Sequence, residues 1–402
     1  MNTLRLLAVI TACFVLSACV SQTSKSTSVP NIDTPSSAVP EALLFDVSVV
    51  VFDPGLDNFD EDEQVYPEVR QAEARFMPLV LSESIQNSGA WAAVRVVPDG
   101  TQVTDLIVRG EILHSDGEEL QLAITAIDAR GEVWLEETYT GKASRYAYQP
   151  ATRNPYDPFQ AVYNTIANDL LEQLEELTEK ERGNVRLVTE LRFARDFSPE
   201  AFDPYLEKTR KGEYEIKRLP AENDPMLGRV RDIRERNRLY VDTLQVYYAS
   251  FDLQMLEPYQ EWRRASFEES AELQELRAES TRNLIVGGIA VLAGIAAASS
   301  GDSSAARTAG QVAILGGGYL VKSGLDKRNE AQIHVQALEE LGMSLEAEIT
   351  PQIIELEDDT IILTGNVEEQ YAQWRALLGD IYRAEIGSLE LPEESADTAD
   401  TL

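Results

Sequence analysis

Residues 283–325 read NLIVGGIAVLAGIAAASSGDSSAARTAGQVAILGGGYLVKSGL, a nearly uncharged stretch inside a chain whose 69 Asp and Glu outnumber its 35 Lys and Arg. Gly287, Gly294 and Gly301 recur every seven residues before the polar turn at 301–304, and Gly310, Gly317 and Gly324 recur every seven after it. A fold-back near Ala305 sets Gly287 opposite Gly324, Gly294 opposite Gly317 and Gly301 opposite Gly310. Two helices can then approach along a seam with no side chains between them. The same register places Leu276 opposite Val335 and Leu273 opposite Leu338, so the pattern predicts one antiparallel helical hairpin over 267–344. Each leg would reach roughly 55–60 Å. The apolar runs at its tip, 284–298 and 308–321, would each be about 22 Å long or less, short of the roughly 30 Å of a bilayer's hydrocarbon core. Two readings stay open: a tip buried against the chain's own domains or a sister subunit, or a tip that enters a bilayer or a multi-subunit collar.

Outward from this hairpin, the amino-terminal flank is the most specific signal. Arg5 precedes the apolar run 6–16, which ends in Leu16-Ser17-Ala18-Cys19. These residues resemble the signal peptide and lipobox of bacterial lipoproteins. The resemblance implies cleavage before Cys19 and acylation of both its thiol and its new amino group, which is stable anchoring where one acyl chain is marginal. Val20 stands where the inner-membrane retention signal of that family has aspartate, so the outer membrane is the expected address. Cys13 would leave with the signal and Cys19 would carry lipid, so the mature chain has no thiol left for a disulfide, metal or nucleophile. A formal charge of -34 argues against nucleic acid as a partner, because polyanions select clustered Lys and Arg.

Residues 21–40, SQTSKSTSVPNIDTPSSAVP, lack apolar periodicity and read as a flexible tether. Beyond it a strand is expected at 44–52, a helix at 67–86 kinked at Pro78, strands at 91–97, 105–114, 120–128 and 132–139, and a closing helix at 157–182. Asp116-Gly117 and Arg130-Gly131 mark hairpin turns whose glycines supply positive φ. This order is similar to periplasmic domains of curli-export-type lipoproteins and to the amino-terminal domain of the Tol-system propeller protein, which implies a ring-forming or adaptor lipoprotein. In 184–266, Pro204, Pro220 and Pro225 separate two helices. In the second, Val241, Leu244, Tyr248, Phe251, Met255 and Trp262 trace a heptad seam, with a kink or break expected at Pro258. Strands at 346–356 and 360–367 and a helix at 368–384 complete the chain. Residues 360–367, TIILTGNV, in this setting resemble the BON domain of envelope proteins, which implies attachment to envelope surfaces.

Candidate chemistry is sparse. His114 and His334 have no partners at metal-ligand spacing. Gly301-Asp302-Ser303 lacks the Asp-x-x-His that GDS-type hydrolases need, and residues 316–323 have Val321 where a phosphate loop needs glycine. The loop 53–63 offers Asp57, Asn58, Asp60 and Asp62 without EF-hand spacing, and reads as a solvated surface loop. No catalytic residue, cofactor site or metal site is assigned.

The expected fold class is therefore α+β: an N-terminal mixed α/β sandwich, a long antiparallel helical hairpin with a glycine-rich apolar tip, and a small C-terminal β-hairpin-plus-helix domain. Its expected parts are a signal peptide at 1–18, a lipidated flexible tether at 19–40 and an α/β periplasmic domain at 41–183. A helical domain at 184–266, the hairpin at 267–344, a BON-like unit at 345–391 and an acidic tail at 392–402 follow. The expected function is that of a non-enzymatic scaffold or assembly component held under the outer membrane by Cys19, partnered by its own copies or another envelope protein. The alternatives are a subunit of an oligomeric secretion or transport channel, and an envelope hydrolase or glycan-binding protein.

Overall fold

The computed structural model describes residues 21–25, 29–57, 65–144, 146–148, 157–221, 223–298, 340, 352–355 and 360–387. The fold is α+β. Strands β1 (Ser21–Lys25), β2 (Asp46–Val50), β3 (Ala93–Val97), β4 (Leu106–Ser115), β5 (Glu119–Asp128) and β6 (Val133–Lys142) form one sheet in the order β1-β6-β5-β4-β2-β3. Strand β2 pairs in parallel with both β3 and β4, and β4, β5 and β6 form an antiparallel meander. The alternation in β5 explains its orientation, since Leu120, Leu122, Ile124 and Ala126 are buried on one face and the intervening residues are half-exposed.

Helix α1 (Pro67–Asn87) links β2 to β3 and passes through Pro78 without a break. Proline has no N–H to give the carbonyl four residues back, which is that of Ala74. The N–H of Phe52 takes that place at 2.9 Å, so the helix's missing bond becomes a joint to the end of β2. The helix expected over 157–182 is two helices, α2 (Gln160–Glu176) and α3 (Glu179–Phe197). Thr178 starts the second with a reciprocal capping box, its side chain accepting from the Glu181 N–H while Glu181 accepts from the Thr178 N–H. The domain boundary expected at 183 thus falls inside a continuous helix. Two short strands, β7 (Leu206–Lys208) and β8 (Tyr214–Ile216), follow where only a loop was expected.

The stretch expected to be a free tether is tied down over part of its length. The side-chain amides of Asn164 and Asn168 on α2 donate to the Pro30 and Asn31 carbonyls, and Glu175 accepts from the Ser36 N–H. At the other side of the sheet, Asp105 is fully buried and accepts from the Asp46 N–H at 2.9 Å and the Thr189 hydroxyl at 2.6 Å. Burial pushes its carboxyl pKa up, against the pull of Arg234 and Arg186.

Helix α4 (Pro225–Ala298) is the longest element. The heptad seam expected for it is buried, with Val241, Leu244, Tyr248, Phe251, Met255 and Trp262 all in the core. It packs against α1, α3, β3 and the last helix, α5 (Val367–Gly387). Tyr240 stacks on Trp374 of α5 with ring centroids 4.7 Å apart. Of the kink or break expected at Pro258, the break is absent: the helix is continuous there. The carbonyl that Pro258 leaves free belongs to exposed Gln254, where water can satisfy it. Gln245 of α4 also seals the sheet's edge, its side chain accepting from the Val96 N–H and donating to the Val96 carbonyl. Gln86 does the same for the Val94 N–H. Ahead of α5, β9 (Gln352–Glu355) and β10 (Thr360–Leu363) form the expected antiparallel pair.

Asp252, half-buried on α4, has its carboxyl pushed up to about 6 by burial first and by the charges of Glu83 and Asp157. The folded state binds this proton more tightly than the unfolded chain, whose Asp titrates near about 3.9. The stability it contributes is therefore present below about pH 4 and lost as pH rises through about 6. Asp252→Asn is expected to raise the thermal midpoint at pH 7.5, with the gap to wild type closing by pH 4. Calorimetry across that range checks it.

Candidate functional site: the seat of the long helix

Of the residues singled out in the sequence, Cys19, Gly301, Gly310, Gly317 and Gly324 lie outside the described residues. Gly287 and Gly294 fall on the last part of α4, which continues as helix to Ala298. The return leg of the expected hairpin, at 305–344, lies outside the described residues except for Glu340, which is helical. Of the acidic loop, Asp57 is described and Asn58, Asp60 and Asp62 are not. His114 sits 3.3 Å from the Asp116 carboxylate. Among the described residues no group of three or more His, Cys, Asp or Glu is placed to hold a metal ion. Among them, too, no helix is long and apolar enough to cross a membrane.

What the described residues do build is a seat for α4 at the tip of the β4–β5 hairpin. Gly117 was expected to serve the turn through positive φ, and it is not among the positive-φ glycines. Its role is close approach. A Cβ there would lie 2.0 Å from the Arg263 carbonyl oxygen and 2.3 Å from the Phe267 nitrogen, so only glycine lets the turn touch the helix backbone. Both backbone groups of Gly117 are engaged: its N–H donates to Ser266 Oγ at 3.1 Å, and its carbonyl accepts from the Tyr148 hydroxyl at 2.7 Å. The Tyr148 ring packs on Phe267 at 5.4 Å. Gly131, by contrast, has the expected positive φ of 90°.

Beneath this contact, Arg263 is completely buried. Its Nη1 donates to Asp157 Oδ2 at 2.6 Å, and its guanidinium lies 3.9 Å from the Tyr259 ring centroid and 4.9 Å from that of Phe159. One turn earlier, the Tyr259 hydroxyl donates to Glu73 Oε1 at 2.5 Å, and Ser115 donates to the same oxygen. Burial raises the hydroxyl pKa values of Tyr259 and Tyr163 above the ordinary phenol range, so both stay protonated. Helix α4 is thereby bonded to α1 through Glu73, to the β4–β5 turn through Gly117 and to the start of α2 through Asp157. The arrangement fixes the position of a helix.

Sequence reasoning missed Arg263 and Glu73. The available signal was the i, i+4 pair Tyr259 and Arg263 immediately after the aromatic heptad seam, where a charged residue continues a buried face. For Glu73 the signal was its place on the apolar face of α1, four residues after Val69 and three before Phe76, where a carboxylate needs a partner.

No family model and no curated protein matches this chain. Among solved structures, it resembles a chain of a dodecamer of a PelC point variant from Paraburkholderia phytofirmans, at 15% identity over 36% of this chain and 94% of that one. The TM-score is 0.21, which carries no argument about this chain.

Proposed function

We propose that this chain is a non-enzymatic scaffold of the bacterial envelope, held to the periplasmic face of the outer membrane through lipidated Cys19. In this reading the α/β body is a mount, and α4 carries the apolar glycine-rich tip to a partner. The observation that carries it is the division of α4. Its first part is seated in the core as far as Gly117 and Phe267, and the same unbroken helix then runs 31 residues further, from 267 to 298. That extension spans about 45 Å. A helix whose base is locked and which runs on for about 45 Å suits reaching a partner better than enclosing a substrate.

The test is the mass of the mature amino terminus together with membrane fractionation of Cys19→Ala. A terminus beginning at acylated Cys19, and a variant that leaves the membrane fraction, are the expected results. An unmodified terminus, or a variant that stays in the membrane, would sink the lipid-anchor reading.

A further inference from the structure

Helix α4 has a second seam, on the side opposite the buried one. Leu239, Val246, Leu253 and Leu256 are 58%, 68%, 75% and 46% exposed, in a fold whose other large apolar side chains are mostly in the core. With Asp242 and Ala249, also exposed, they occupy positions 239, 242, 246, 249, 253 and 256. These alternate by three and four residues, the spacing at which one helix presents a continuous stripe to another. A scatter of surface leucines needs no account, but a run in this register is built for a helix.

We propose that this seam pairs with the same seam of a second copy, with the two α4 helices antiparallel. Charge decides the direction. A parallel, in-register pair would set Asp232, Glu235 and Asp242, which continue the stripe toward the helix start, each against its own copy. Reversing one helix about the Val246–Ala249 contact removes all three clashes. Leu239 then meets the partner copy's residue at position 256, a leucine, and Val246 meets alanine at position 249. Arg236 flanks the glutamate at position 257. Leu253 meets the aspartate at position 242, whose carboxylate is drawn aside by Arg95, with Nε 2.6 Å from Oδ1. Large faces small at the centre and leucine faces leucine at both ends, which is the complementarity an isologous interface requires. This surface lies on the described body and does not depend on acylation of Cys19.

The full chain carrying Cys13→Ser and Cys19→Ser has no thiol, so introduced cysteines report alone. Sedimentation should show a dimer, and Val246→Glu with Leu253→Glu should raise its dissociation constant about 100-fold or more. Under mild oxidation, a mixture of the Leu239→Cys and Leu256→Cys chains should form a disulfide-linked dimer that neither forms alone, since a-to-d′ neighbours meet only in the antiparallel pair. Three outcomes would overturn the proposal: a chain that stays monomeric at about 100 μM, about a hundredfold above a dissociation constant of about 1 μM, a double-glutamate variant that self-associates as before, or Leu239→Cys cross-linking to itself. Cysteine-free chains remove the lipid, so failure here leaves the anchor reading standing, and the reverse also holds.

Discussion

Gly117→Ala is expected to destabilise the fold by about 3 kcal/mol, the upper part of the range for forcing one extra carbon into a packed contact that cannot give. The added Cβ would meet main-chain atoms, the Arg263 carbonyl and the Phe267 nitrogen, rather than the end of a flexible side chain. Relief requires the whole helix to lift, and lifting it stretches the Arg263–Asp157 pair and the Tyr259–Glu73 hydrogen bond below. The change should therefore also expose 260–298 to protease under conditions where the sheet is intact. Gly228, in the first turn of α4 with nothing within 4 Å of its Cβ position, is the control. Gly228→Ala should stabilise by up to about 1 kcal/mol, because alanine is the better helix former. Urea unfolding of the two variants gives opposite signs if the turn seats the helix. Equal effects would refute the seat.

The second large effect concerns the buried ion pair. Asp157→Ala should cost about 3–5 kcal/mol, since it leaves a guanidinium with no exposure facing no carboxylate. Arg263 is already poorly satisfied, for its Nε and Nη2 have no hydrogen-bond partner. Removing the charge altogether should then be far cheaper than unpairing it. The double change Asp157→Ala with Arg263→Met is expected to recover most of the loss, with methionine filling the space between the Tyr259 and Phe159 rings. A double-mutant cycle by urea denaturation should show coupling of about 2 kcal/mol or more, and simple additivity would mean the pair is not buried as described.

Strands β2 to β6 were legible from their apolar runs and turn residues, and β5 alternates residue by residue, whereas β1 lies inside the stretch whose composition reads as a tether. The division between α2 and α3 was not, because the apolar stripe of 159–177 runs on without a gap. The visible mark was the Thr178–Glu181 capping box, a local signal outweighed by the periodicity around it. Strands β7 and β8 have three residues each, too few for a period to declare itself. The bound part of the tether shows a different limit: its composition is that of a free linker, and it is held by side chains of Asn164, Asn168 and Glu175 more than 130 positions away. In the seat of α4, the turn at Asp116-Gly117 was readable, but why it needs glycine depends on a helix that arrives 146 positions later, at Arg263. Proline gave the same lesson in two helices. Neither Pro78 nor Pro258 breaks its helix, since Phe52 in one case and solvent in the other takes up the carbonyl set free.

The glutamines on the rim of the sheet limit how this chain can be recognised. An exposed outer strand invites a foreign peptide to lie beside it and extend the sheet through main-chain hydrogen bonds, a common way for a β-rich adaptor to capture an extended client. Here Gln86 and Gln245 already occupy the free main-chain groups of Val94 and Val96, and β1 lies along β6 at the other margin. Strand addition is thereby closed at the β3 margin, while at the opposite margin the sheet ends on β1, a strand of five residues near the amino terminus. A peptide extending this sheet through its main chain would have to lie along β1, so the two margins of one sheet differ in what they offer to an extended backbone.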